Sequence, residues 1–304
     1  MYGVVNLKRW LQTAAAAVLA VGAIGVFGAL LTVFAADGGV QVPVIMYHAV
    51  IDDSRRLGQY VVSPAELESD FAWLQRNGYT AVLSEDLIRY VEDGTPLTAR
   101  IGGAAIDADG TPLPEKPVLI TFDDGYYNNY LYAYPAARRY GMKFVLSPIG
   151  KCTDLYTAEP SESPYYAHCT WAMLREMQDS GIVEIGNHTY DLHSSDGARL
   201  GTRRLASESM EDYRAMLSAD VRLAQEKAGQ NLGRAPVLFA YPFGVVSEGE
   251  PEIIASLGFS VTLSCEARIS TVTRDPESLL YLGRFLRPSG ETSEAFFART
   301  LGAV

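Results

Sequence analysis

The chain has 304 residues, a formal net charge of −11 and 20% charged residues. So acidic a balance excludes the basic surface that nucleic-acid phosphates require. A hydrophobic share of 48% suits a globular protein, and the chain shows neither a Walker-type glycine loop nor an internal repeat.

Lys8 and Arg9 precede an almost unbroken apolar run from Trp10 to Ala36. About 20 such residues cross a bilayer, and positive charge ahead of the run keeps the N-terminus inside. Residues 1–36 are therefore expected to form a cytoplasmic stub and a transmembrane signal anchor. Residues 37–304 are expected to lie outside the cytoplasm as one domain, with secretion after cleavage near Ala35 and Ala36 as the alternative. In that compartment three cysteines predict one disulfide and one free thiol. Cys152 and Cys169 bracket a Pro/Ser/Tyr-rich segment and are the expected pair, which leaves Cys265 free.

Val42–His48 reads as a buried strand ending in a histidine. Ser63, Pro64 and Glu66 give the signature of a capping box, so a helix follows, carrying Leu67, Phe71 and Leu74 on one face until Gly78. A short strand over Thr80–Leu83 leads to a helix capped by Ser84. Residues 94–116, rich in Gly, Pro, Asp and Ala, form an excursion. The central strand is Val118–Phe122, which runs apolar and stops at Asp123-Asp124-Gly125. Helix 129–140, strand 143–148, a loop to Cys169, a helix capped by Thr170 and strand 182–186 come next. A helix from Ser209 to Lys227, strand 236–241, helix 251–257, strand 259–263 and a last strand 281–286 complete the chain. Strands and helices alternating at this spacing predict an α/β fold with parallel strands, most simply one (β/α) barrel of about seven strands.

In such folds active sites form at the C-terminal ends of the strands. Asp123 and Asp124 stand at one such end, and adjacent strand residues point opposite ways, so the two acids are expected to do different work. The bland alternative is a solvated Asp-Asp-Gly turn. His188 and His193 follow another predicted strand, and they converge only if the segment between them turns as a loop. One Asp and two His make a three-ligand site for a divalent ion with open positions. The second Asp would lie beside the ion, placed to accept a proton from water.

Thr121-Phe122-Asp123-Asp124-Gly125, followed by His188-Thr189 and His193, resembles the polysaccharide deacetylases with the NodB homology domain, carbohydrate esterase family 4. The five-residue histidine spacing and the opening Pro43-Val44-Ile45-Met46-Tyr47-His48 resemble the exported poly-N-acetylglucosamine deacetylase branch. The resemblance covers about residues 42–290 and implies a distorted barrel. It implies Asp123 as catalytic base, and Asp124, His188 and His193 as ligands of one divalent ion, zinc or another. Tyr241-Pro242-Phe243-Gly244 stands where the family has Arg-x-Pro-Tyr, which implies the Phe243 backbone amide as an oxyanion donor. The arginine of that motif is missing, and Arg284 or Arg287 is the expected replacement. The late histidine that acts as general acid is missing too, because no histidine follows His193. His48, at the end of the first strand, would take that place in a closed barrel. Tyr126, Tyr127, Trp171 and Arg284 are the expected substrate contacts.

The implied activity is metal-dependent hydrolysis of N-acetyl groups on an extracellular polysaccharide, poly-N-acetylglucosamine-like or peptidoglycan, with acetate released. The rivals are an O-acetyl esterase on another polysaccharide and a non-catalytic, membrane-tethered glycan-binding protein on the same fold.

Overall fold

The computed structural model describes residues 39–93, 116–195 and 197–302. The apolar run read as an anchor and nearly all of the 94–116 excursion lie outside the described residues. Among the described residues no helix is long and apolar enough to cross a membrane.

The first strands are β1 (Val40–Val42), β2 (Val44–Tyr47), β3 (Ala49–Val50) and β4 (Val61–Val62). Helix α1 (Pro64–Arg76) opens with the predicted capping box, in which Ser63 and Glu66 each bond the other's backbone N–H. Strand β5 (Thr80–Val82) and helix α2 (Ser84–Asp93) follow, then β6 (Pro117–Asp124), α3 (Tyr134–Tyr140) and β7 (Phe144–Pro148). Next come α4 (Gly150–Ala158), α5 (Trp171–Asp179), β8 (Val183–Ile185) and α6 (Met210–Leu232). The last part holds β9 (Leu238–Ala240), α7 (Glu250–Ser256), β10 (Val261–Leu263), β11 (Ser270–Val272), β12 (Phe285–Leu286) and α8 (Ser293–Leu301).

All eight residues of β6 are buried, as a strand with neighbours on both edges and both faces must be. It pairs in parallel with β2 and β7, and near its start with β5. The sheet continues through β7 to β8 and from β2 to β12. Past β8, Asn187 bridges Phe239 in β9, which pairs in parallel with β10. Leu263 at the end of β10 bridges Leu282, just ahead of β12. Followed in this order, the pairings return to β2.

Alternation along the strands sorts the core into two groups. Ile45, Ile120, Leu146 and Ile185 face the helices together with Phe71, Trp171 and Leu174. Val44, Leu119, Val145, Leu238, Val261 and Leu263 pack on one another on the other face. The result is a set of parallel strands whose C-terminal ends carry His48, Asp123, Asp124, His188 and Phe243.

Two local features depart from expectation. Ser84 does not cap α2 by accepting from its own helix. The buried Glu184 carboxylate on β8 accepts from Ser84 N at 2.9 Å and Glu85 N at 3.4 Å, and Ser84 Oγ also donates to it. The expected Cys152–Cys169 disulfide is absent, and both thiols are free. The segment between them is not an open loop: Cys152 sits in the first turn of α4. Cys169 is buried, with its N–H on Gly125 O at 2.8 Å and its thiol donating to Tyr126 O at 3.3 Å. Burial pushes that thiol up to about 12.

The Glu184 cap predicts a pH-dependent stability. Burial, against the Ser84 bonds, pushes its carboxyl up to about 7 from an ordinary 4.5. The folded state then binds a proton that the unfolded chain has released. Its contribution is full below pH ~4.5 and is lost as pH rises to ~7, amounting to roughly 3 kcal/mol. Thermal unfolding of Glu184→Gln should lack this decline, so the Tm difference between variant and parent should change across that window.

Candidate active site

β6 ends at Asp124, and the chain turns sharply there. Asp124 has φ 69° and Gly125 φ 75°. Asp tolerates the left-handed region better than most residues. This turn explains why the strand rule of opposite sides does not hold here: leaving the extended conformation brings both carboxylates to one cavity. A Cβ on Gly125 would meet Pro148 Cβ at 2.6 Å and Cα at 2.8 Å. Gly125→Ala is therefore expected to cost on the order of 2 kcal/mol and to displace Asp124. Thermal unfolding and a divalent-ion titration would read both effects.

Thr189, at φ 71°, turns the chain after β8 so that His188 and His193 face each other with ring centroids 4.7 Å apart. His188 Nδ1 pairs with Ala240 O at 2.7 Å, which leaves Nε2 as a lone pair directed at the acids. Burial, opposed by Asp123, depresses its pKa to about 4, so the ring is neutral and fit to ligate. Asp124 Oδ1 lies 3.4 Å from His193 Nε2 and 3.7 Å from His188 Nε2. One ligand atom from each of the three lies within 4.8 Å of the others. Asp124 Oδ1 is buried and has no hydrogen-bond partner among the described residues. A buried, partnerless carboxylate oxygen between two imidazole nitrogens is costly unless a cation completes it. The donor set, one carboxylate and two imidazoles, fits a divalent transition ion such as zinc.

Asp123 differs. Its Oδ1 accepts from Arg284 Nη1 at 2.8 Å, and both side chains are almost fully buried. Burial alone would raise its pKa, but the Arg284 guanidinium holds the carboxyl well below the usual range. Arg284 Nε donates to Ser264 O at 2.7 Å, and Nη2 lies 3.6 Å from Cys265 Sγ. Expected as a substrate contact, Arg284 is instead sealed behind the acid it fixes. Of the two arginines expected to replace the one absent from the third motif, Arg284 is the one that meets Asp123. Arg287 does not: it pairs in the core with Asp70, at 2.8 and 3.1 Å, where the Tyr47 hydroxyl also donates.

A cavity of about 540 Å³ opens over these groups, lined by His48, Tyr60, Asp123, Asp124, Tyr126, His188, His193, Phe243 and Cys265 among others. His48 Nδ1 is buried without a hydrogen-bond partner among the described residues, and the ring meets Tyr60 edge-on at 5.0 Å. Phe243 follows Pro242 at φ 58° and lays its ring against His193 at 4.5 Å. The Tyr126 hydroxyl is raised by burial and by the neighbouring Asp124 carboxylate.

Two expected sugar contacts are elsewhere. Tyr127 is buried, with its N–H on Ala167 O at 2.8 Å. Trp171 starts α5 inside the core, and its indole donates to Asp154 Oδ1 at 2.7 Å. Three residues given no place in the site by the sequence matter. His168 Nδ1 bonds Asp124 O at 3.0 Å and so braces the turn that presents the carboxylate. Tyr60 and Cys265 form cavity wall.

Residues 110–262 match the polysaccharide deacetylase family model. The poly-β-1,6-N-acetyl-D-glucosamine N-deacetylase of Escherichia coli K12 is 26% identical over 250 residues, 76% of this chain and 34% of that protein. The chain thus spans about a third of the length of that relative. Among solved structures, a de-N-acetylase from Aggregatibacter actinomycetemcomitans superposes with a TM-score of 0.66 at 25% identity, over 84% of this chain and all of the other. IcaB from Ammonifex degensii gives 0.64 at 24% identity, over 87% of this chain and 97% of its own, a likeness of fold. With a family model covering half its length, the chain belongs to the polysaccharide deacetylases.

Proposed function

We propose that the protein is a metal-dependent N-deacetylase of a GlcNAc-containing polysaccharide, poly-N-acetylglucosamine-like or peptidoglycan, and that it releases acetate. The carrying observation is the partnerless Asp124 Oδ1 between two imidazoles, beside a second carboxylate held ionised by a buried arginine. The pairings that return to β2 support a closed barrel of seven strands, counting β2, β6, β7, β8, β9, β10 and β12. The apolar run 10–36 supports a chain anchored in the membrane with its domain outside the cytoplasm.

Asp124, His188 and His193 would hold the divalent ion. When bound, such an ion supplies positive charge that polarises the acetyl carbonyl and makes water more acidic. Asp123 accepts the proton of the attacking water, and Arg284 keeps that carboxylate charged and aimed. The Phe243 amide, fixed by the Pro242 turn, donates to the developing oxyanion. His48 gives a proton to the departing amine, so that acetate and a free glucosamine nitrogen result.

The test is acetate release by the purified full-length chain from β-1,6- and β-1,4-linked GlcNAc oligomers, peptidoglycan and an O-acetylated xylan. Release from N-acetyl substrates supports the reading, and the polymer that turns over names the substrate. Release from xylan alone would make the protein an O-acetyl esterase. Binding of an oligomer without any release would favour the glycan-binding rival.

A further inference from the structure

The catalytic cavity does not end at Tyr126. A groove of about 370 Å³ continues from it, with Ala49, Val61 and Tyr126 shared by both. Its far wall is Tyr165 and Arg56. Tyr165 is 46% exposed although it carries a large ring, and the Arg56 guanidinium lies 4.6 Å from the ring centroid. This cation–π contact braces one side of the exposed ring. The backbone beneath is fixed as well. Asn128, 1% exposed, accepts from Val50 N at 2.9 Å and donates to Pro164 O at 2.9 Å, tying the residue before Tyr165 to β3. Among the described residues, seven large apolar side chains are exposed, and Tyr60, Phe243 and Tyr165 all line the cavity or its extension.

Exposed, rigidly held aromatic rings beside a reaction site are poor for folding and suited to stacking. A β-linked pyranose offers a flat face of axial C–H groups to the electron-rich face of a tyrosine. Its hydroxyl and acetamide oxygens accept hydrogen bonds from a guanidinium.

Resting on the deacetylase reading, we propose that this groove is a second sugar subsite. It takes the pyranose next along the chain from the one whose acetyl group enters the cavity. Tyr165 stacks on that ring and Arg56 bonds its oxygens. Selection for polymer over single sugars then lies in these two residues, while Asp123 and the three ligands act on one acetyl group whatever is attached.

The experiment compares the full-length parent with Tyr165→Ala, Tyr165→Phe and Arg56→Ala on N-acetylglucosamine and its linear oligomers. In the parent, kcat/KM should rise by at least about tenfold from one sugar to three. Tyr165→Ala should lose most of that rise through KM, keep the single-sugar rate, and be rescued by Tyr165→Phe. A full rise in both alanine variants, or an equal loss on one sugar and three, would overturn the proposal. Failure of the deacetylase reading shows separately, as no acetate from any oligomer by the parent. Calorimetric binding of a GlcNAc pentamer then decides the groove: weaker binding in Tyr165→Ala supports it, and unchanged or absent binding overturns it.

Discussion

Asp123→Asn should lower kcat by about 10³ or more, while KM and divalent-ion binding stay near the parent values. The asparagine keeps the shape and can still accept from Arg284, but it takes no proton from water. General-base catalysis is worth ~10²–10⁴ in rate, and losing it affects the transition state rather than substrate binding. Asp123 makes its ion pair away from the cluster of Asp124, His188 and His193, so the ligands remain intact. Steady-state kinetics beside metal analysis of the same preparation would check both halves. Parental kcat in Asp123→Asn would remove Asp123 as the base.

Arg284→Leu should be the more damaging change to the protein as a whole. Asp123 is 2% exposed and Arg284 1% exposed, so removing the cation leaves a buried carboxylate uncompensated. Such a break costs about 3–5 kcal/mol, and the carboxyl then gains a proton, because burial is the largest influence on it once Arg284 is gone. The expected result is a large drop in Tm together with a kcat lowered by about 10². Arg284→Lys, which keeps the charge but not the fork of donors, should recover part of kcat with KM unchanged. Recovery of Tm without recovery of kcat would assign Arg284 to the fold alone.

What the sequence revealed was whatever sits in local pattern. An apolar run ending in Asp123-Asp124-Gly125 had one plausible place at a strand end, and Ser63-Pro64-Ala65-Glu66 had one plausible role as a helix start. His188 and His193 were legible as a pair because the polar residues between them suggested a loop. Hidden features were those that join distant parts. Arg284 meets Asp123 across 161 residues, and Glu184 meets Ser84 across 100. No spacing rule encodes such meetings, since they depend on which strand ends become neighbours. The left-handed turn at Asp124 was hidden too, because strand alternation predicts opposite sides until the backbone leaves the strand. Helix α4 falls in the segment whose Pro, Ser and Tyr content predicts a loop, and Cys152 in its first turn makes no disulfide with Cys169. Trp171 and Tyr127 fail as sugar platforms because both are buried, Trp171 in the first turn of α5 and Tyr127 with its N–H on Ala167 O. Exposure is a tertiary property, and it belongs here to Tyr60 and Tyr165.

The most direct measurement is acetate release from a GlcNAc oligomer by the parent chain before chelation, after chelation, and after one equivalent of zinc is returned. The account predicts release that chelation abolishes and one equivalent restores, with no restoration in His193→Ala. Release indifferent to chelation, or equal in parent and His193→Ala, would contradict it.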